Sequence, residues 1–191
     1  MLKIGKKQLK DDGISFKNDI GNFSSLTEAR PFIRVYLEYL DVLIFQSKIK
    51  KAISVAKELL RLDNDDNTGI RYKLMSLYAV LEDKDNAEAL FKTFFYDTSV
   101  HMILPLIALY YKLDETKKAK YYLGILCYDI PYVKEAFQHI QRDEVDIERF
   151  VYSDSYIPYS QDEIYTVYAK YPHLYLHLPD FIKWIVRNCP N

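Results

Sequence analysis

Residues 50–60 read KKAISVAKELL, and two later stretches repeat their pattern: DNAEALFKTFF at 85–95 and KKAKYYLGILC at 117–127. A small residue takes the same place in each, Ala52, Ala87 and Ala119, at intervals of 35 and then 32 residues. Four positions on stand Ala56, Phe91 and Leu123; seven positions on stand Leu59, Phe94 and Leu126. Apolar residues three, four and seven apart mark the buried stripe of an amphipathic helix. A short polar turn, SKIK, EDKD or DETK, precedes each alanine. Near such a turn two antiparallel helices approach most closely, and only a small side chain fits between them. The larger residue one turn later fills the space against the next pair.

Each of these helices has a partner upstream. Ile33, Leu37, Leu40 and Ile44 form a stripe before the first turn; Ile70, Leu74, Leu77, Tyr78 and Leu81 form one before the second. Val100 to Leu113 precedes the third, with Pro105 expected to bend it because proline removes a backbone donor. The fold class predicted is therefore all-α, a solenoid of about three helical hairpins. A seventh helix follows, opening at Asp129-Ile130-Pro131 and ending near Arg142. An extra C-terminal helix pair closes the chain, one helix from Ser160 to about Tyr171 and one from Pro179 through Trp184. Three segments are expected: a loosely ordered lead-in at 1–24, the repeats with the seventh helix at 25–143, and a tyrosine-rich connection with the closing pair at 144–191. Ser25-x-x-Glu28 and Ser160-x-x-Glu163 read as capping boxes, Asp66 and Asn67 as caps of the third helix, and Asp97 or Ser99 as caps of the fifth.

A repeat period near 34, with that alanine and a large residue four positions on, resembles the tetratricopeptide repeat. Beyond it, EARPFIRV at 28–35, LDNDDNTGIRY at 62–72 and SYIPYSQDEIYTVYAKYPHLYLHLPDFIKWIV at 155–186 occur in one order. They are similar to motifs of the bacterial tetratricopeptide-repeat proteins related to the suppressor-of-tumorigenicity family. Glu28, Arg30, Pro31 and Arg34 match the first motif; Asp66, Asn67, Gly69, Arg71 and Tyr72 match the second. Departures include Asn64 for proline, Thr68 for glutamine and Pro179-Asp180 where Pro-Gly is usual. The resemblance spans about residues 22–187 and implies a helical binding scaffold, with first helices lining a concave face.

On that face, Arg34 and Arg71 would frame a groove that takes a carboxylate or acidic peptide, since guanidinium offers planar bidentate donors. Arg30, Asp66, Asn67, Tyr72 and Tyr111 complete the candidate partner-binding set. The competing reading is structural, with Glu28 or Asp66 pairing to Arg30, Arg34 or Arg71 and locking one repeat onto the next. Tyr78 and Tyr110 read as packing between helices.

The 191 residues carry 26 Lys+Arg against 27 Asp+Glu, a net charge of -1, which removes the simplest argument for nucleic-acid binding. Five glycines, none in a phosphate-cradling motif, and no nucleophile motif exclude the common enzyme signatures, so no catalytic residue and no cofactor is expected. Short polar turns explain the scarcity of glycine if they rarely need positive φ. His173 and His177 read as a surface pair and not as metal ligands. Cys127 reads as an inert buried thiol, and the two cysteines fit a reducing compartment. The start, MLKIGKKQLKDDG, lacks the apolar stretch of a signal peptide; its Lys3, Lys6, Lys7 and Lys10 read as a solvated tail. No apolar run is long enough for a membrane span, and a cytoplasmic location follows as the expectation. The function expected is a non-catalytic adaptor that holds a protein or peptide, monomer or homodimer left open. The alternative is an inhibitor, immunity or antitoxin-type protein working through the acidic, Tyr-rich segment 143–159.

Overall fold

The computed structural model describes residues 2–153 and 155–190, with side chains from residue 5 onward; Lys3 as a side chain and Asp154 lie outside the described residues. Every regular element among them is helical: α1 (Leu2–Asp11), α2 (Arg30–Phe45), α3 (Ile49–Leu62), α4 (Ile70–Val80), α5 (Lys84–Thr93), α6 (Val100–Lys112), α7 (Thr116–Asp129), α8 (Val133–Gln141), α9 (Glu148–Val151), α10 (Gln161–Lys170) and α11 (Phe181–Asn188). The chain divides into two compact units, Met1–Leu77 and Tyr78–Asn191, and the division falls inside α4. It follows neither expected boundary, because the two outer segments share cores with the helices beside them.

The helical register read from the alanines is reproduced. Ala52, Ala87 and Ala119 are fully buried, as are Ala56, Leu123 and Leu126. Phe94 departs from the pattern: α5 ends at Thr93, and Phe94 is its half-buried C-cap. The turns correct the account of glycine. Ser47, Glu82 and Asp114 each stand five residues before an alanine with φ between 54° and 58°. The next residue in each turn donates its N–H to a carbonyl five back: Lys48 to Leu43, Asp83 to Tyr78, Glu115 to Tyr110, at 2.9 Å in all three. That is the Schellman helix end, which satisfies orphaned carbonyls and usually places glycine in the left-handed position. Here polar L-residues accept the strain, so the chain needs positive φ often and meets the need in these three turns without glycine, while Gly13, Gly21 and Gly69 meet it elsewhere. A fourth copy of the turn ends α8, with Asp143 at φ 58° and Glu144 N–H on His139.

In the first unit, α1 packs on α2 and α2 on α3. The expected loose lead-in is part of the core: Leu9, Ile14 and Phe23 are buried. Phe16 sits 5.1 Å from the Phe23 ring and 5.8 Å from Phe32. These aromatics lie in turns, where no helical period advertises them. The capping box at Ser25 does not form. Two 3-10 turns, Phe23–Ser25 and Thr27–Ala29, run into α2, whose N-cap is Ala29 with no side-chain bond. Pro31 lies in the first turn of α2, where its missing donor costs nothing.

In the second unit α6 is buried from Val100 through Tyr110, as expected of a helix apolar all round. It runs unbroken through Pro105. It packs on α7; α10 lies against α6, α8 and α9, and α11 against α7 and α8. Tyr78 and Tyr110 are both buried, the latter stacked 5.5 Å from Tyr122 and donating to the Glu88 carboxylate. Lys84 pairs with Glu115 at 2.6 Å and Lys118 with Glu88 at 3.0 Å, tying α5 to α7. No helix among the described residues is long and apolar enough to cross a membrane.

Candidate binding cleft

The first unit holds an open cleft of about 540 Å³ lined by Ser24, Ser25, Arg30, Ile33, Arg34, Leu37, Asn67 and Thr68. One wall is the first two turns of α2, where Arg30 and Arg34, one turn apart, project from the same face and Ile33 and Leu37 form an apolar floor. The opposite wall is the α3–α4 connection, held against the segment before α2 by a network centred on the buried Asp63. Ser24 Oγ donates to Asp63 Oδ1 at 2.7 Å, and the Asn67 backbone N–H donates to Oδ2 at 2.9 Å. The Asn67 amide donates to Ser24 Oγ at 3.0 Å and to Asp63 Oδ1 at 3.1 Å. Asn64 N–H reaches Gly21 O at 2.9 Å. Gly21 is required there: its φ is +94°, and a Cβ would stand 2.4 Å from Asn64 Nδ2.

The expected site residues fall into three groups. Arg30, Arg34 and Asn67 line the cleft. Asp66, Arg71 and Tyr72 form a lock at the start of α4. The buried Asp66 carboxylate accepts from Ile70 N–H at 2.6 Å, Arg71 N–H at 3.0 Å and Arg71 Nη1 at 3.0 Å. The Arg71 guanidinium lies 4.2 Å over the Tyr72 ring and donates to its hydroxyl at 2.6 Å. Tyr111 belongs to the second unit, packed 5.2 Å from Phe181 and 5.3 Å from Trp184. Of the pairs that the competing structural reading named, only Asp66–Arg71 forms among the described residues, and it lies within the start of α4. Among the described residues Arg34 makes no hydrogen bond or ion pair, Glu28 forms no ion pair, and Arg30 reaches only Ser24 O at 3.4 Å. Ser24, Ser25 and Thr68 were missed by sequence reasoning, since hydroxyls in irregular segments carry no pattern.

Asp66 caps α4 as expected; Asn67 serves the Asp63 network instead. Burial is the largest influence on the Asp66 carboxyl and pushes its pKa up, opposed by its bonds to Arg71 and Ile70. The second unit has a counterpart. Ser99 makes no side-chain cap bond, while Asp97 accepts the Ser99 N–H at 2.9 Å ahead of α6. Glu163, 63 residues away, accepts Val100 N–H at 3.0 Å and Tyr159 N–H at 2.7 Å. Ser160 makes no cap bond, so this is not the capping box expected. Burial raises the Glu163 carboxyl above its ordinary range, and no cation pairs with it among the described residues.

Metal and thiol expectations need revision in detail. No group of three or more potential ligands is gathered among the described residues. His177 is exposed, but His173 is half-buried, and burial pushes its pKa down to about 4. Cys127 is partly accessible, and its sulfur lies 3.3 Å from that of Cys189.

Comparison with protein-family models, with curated proteins and with solved structures returned no match for this chain.

Proposed function

We propose that this protein is a non-catalytic binding scaffold of tetratricopeptide-like hairpins whose first unit holds a carboxylate-bearing peptide segment of a partner protein. The observation that carries the reading is Arg34. Its guanidinium has no hydrogen-bond or ion-pair partner among the described residues, in a cleft where Arg30, two serines, a threonine and an asparagine converge. Planar guanidinium donors suit a carboxylate, and hydroxyl neighbours complete its hydrogen bonding. The apolar floor of Ile33 and Leu37 favours an aliphatic or aromatic residue beside the acid. The volume lies in the range of ordinary ligand pockets. Among the described residues no histidine or cysteine lines the cleft, and the Ser24 hydroxyl is held by the Asp63 carboxylate. Support for the repeat architecture comes from the three alanines and the left-handed turn residue five positions ahead of each.

An array of short peptides carrying Asp or Glu next to an apolar residue tests this reading. Binding should be selective over the matching Asn and Gln peptides and should weaken with salt. Equal retention of the amide peptides defeats it.

A second reading, an inhibitor acting through segment 143–159, is favoured by the exposure of Tyr152 (88%), Ile157 (68%) and Tyr159 (54%) beside Asp143, Glu144, Asp146 and Glu148. Deleting the segment would unfold the unit, because Phe150 is buried and Tyr159 N–H caps onto Glu163. Tyr152→Ala with Ile157→Ser tests it cleanly: inhibition of a target should vanish while peptide binding persists.

A further inference from the structure

Cys127 and Cys189 are distant in sequence and adjacent in space. Cys127 lies near the end of α7; Cys189 is the C-cap of α11, which packs on α7 and α8. Their sulfurs are 3.3 Å apart in the thiol state. A disulfide needs sulfurs about 2.05 Å apart, so closing the bond brings two already contacting sulfurs about 1.2 Å nearer. Nothing covalent otherwise holds α11 to the unit except the turn at 171–180.

We propose that Cys127 and Cys189 form a reversible disulfide that clamps the C-terminal helix onto α7, with Cys127 as the attacking and Cys189 as the resolving thiol. Accessibility sets the order: Cys127 is partly open to solvent, while Cys189 is 6% exposed. The oxidant is a low-molecular-weight disulfide such as oxidised glutathione. The Cys127 thiolate attacks one of its sulfurs, forming a mixed disulfide and releasing one small thiol. The Cys189 thiolate, after losing its proton to solvent, then attacks the Cys127 sulfur. The second small thiol leaves, and the bond joins the two residues. Two protein thiols are oxidised and one small disulfide is reduced to two thiols, so atoms and electrons balance. The pair's hydrogen bond favours this sequence. It eases ionisation of the Cys127 thiol and, with burial and the neighbouring charge, holds Cys189 protonated until attack begins.

The product closes a long loop, which constrains the unfolded chain. The clamp also fixes the face that carries Phe181 and Trp184 against Tyr111.

Treatment of the full chain with oxidised glutathione, followed by alkylation, intact mass and non-reducing peptide mapping, tests the proposal. Expected are a mass loss of two hydrogens, a linked Cys127–Cys189 peptide, and no alkylation at either residue. The thermal midpoint should rise by about 5–10 °C and return on adding dithiothreitol. Cys189→Ser should instead accumulate a stable glutathione adduct at Cys127, and Cys127→Ser should leave Cys189 unmodified. Two alkylatable thiols in the oxidant-treated wild type would overturn the proposal, as would a lasting glutathione adduct there or first reaction at Cys189. The wild-type peptide map needs no variant to fold.

Discussion

The starts of α4 and α6 solve one problem in two ways. Each helix begins with backbone N–H groups that need acceptors, and each receives a buried carboxylate. Asp66 stands four residues ahead of its first donor and has Arg71 as counter-charge. Glu163 arrives from α10, spans Val100 and Tyr159, and has no cation. The first unit therefore has cations to spare: with Asp66 satisfied by Arg71, Arg30 and Arg34 are left for something else. In the second unit the buried Glu163 has no cation paired with it among the described residues. On the proposed reading the first unit takes an anion; a buried carboxyl of raised pKa stands in each unit, Asp66 in the first and Glu163 in the second.

The largest expected effect breaks the paired carboxylate. Asp66→Ala strands two N–H groups and removes the counter-charge of Arg71, which keeps its bond to the Tyr72 hydroxyl, and should cost about 3–5 kcal/mol of unfolding free energy in urea. Glu163→Ala strands two N–H groups and no charge, and should cost about 2–4 kcal/mol. A reversed order would break the comparison.

Acid separates the units further. All four histidines lie in the second, at 101, 139, 173 and 177. His173 is held neutral to about 4 by burial, whereas in the unfolded chain it protonates near its ordinary value of 6.5. Its contribution is full above pH 6.5 and is lost as pH falls toward 4, about 2–3 kcal/mol in all. Hydrogen exchange should show α10 and α11 loosening across that window while α2 and α3 hold, and His173→Gln should flatten the response. Parallel loosening of both units would remove the distinction.

Glu163→Gln is gentler. The amide keeps one acceptor and loses the other, for about 1–2 kcal/mol at neutral pH. Because the folded carboxyl holds its proton to higher pH than the unfolded one, Glu163 makes stability fall as pH rises above about 4.5. That part of the slope should be absent in Glu163→Gln, and its persistence would assign it to another group. The smallest effect has the opposite sign. Asp114→Gly relieves a left-handed residue at φ 56° and should stabilise by about 0.5–1 kcal/mol. A loss instead would mean that the turn residues are held by more than backbone geometry.

What was legible in the sequence tracks how local each interaction is. Ala52, Ala87 and Ala119 announce their burial because helix packing writes itself at fixed spacing. Asp66 was readable as a cap because its donors follow within five residues. Glu163 was misread as a local cap because its α6 donor lies 63 residues away. Cys127 and Cys189 escaped for the same reason. The turn residues misled, since Ser47, Glu82 and Asp114 adopt a conformation that composition would assign to glycine. Of the cleft-lining residues, Arg30, Arg34 and Asn67 were singled out through motif positions. Tyr111 was misplaced because a helix face does not say which later element, here α11, will cover it.

The central claim is that Arg30 and Arg34 are free to bind rather than required to fold. Arg30 lies in the first turn of α2, where the macrodipole favours a glutamate, and Arg34 is exposed one turn on. Titrating the best acidic peptide into wild type and into the Arg30→Glu/Arg34→Glu variant, with thermal midpoints measured on the same samples, tests the claim directly. The account predicts at least a roughly tenfold loss of affinity with the midpoint essentially unmoved. Unchanged affinity, or a midpoint that falls together with it, would contradict it.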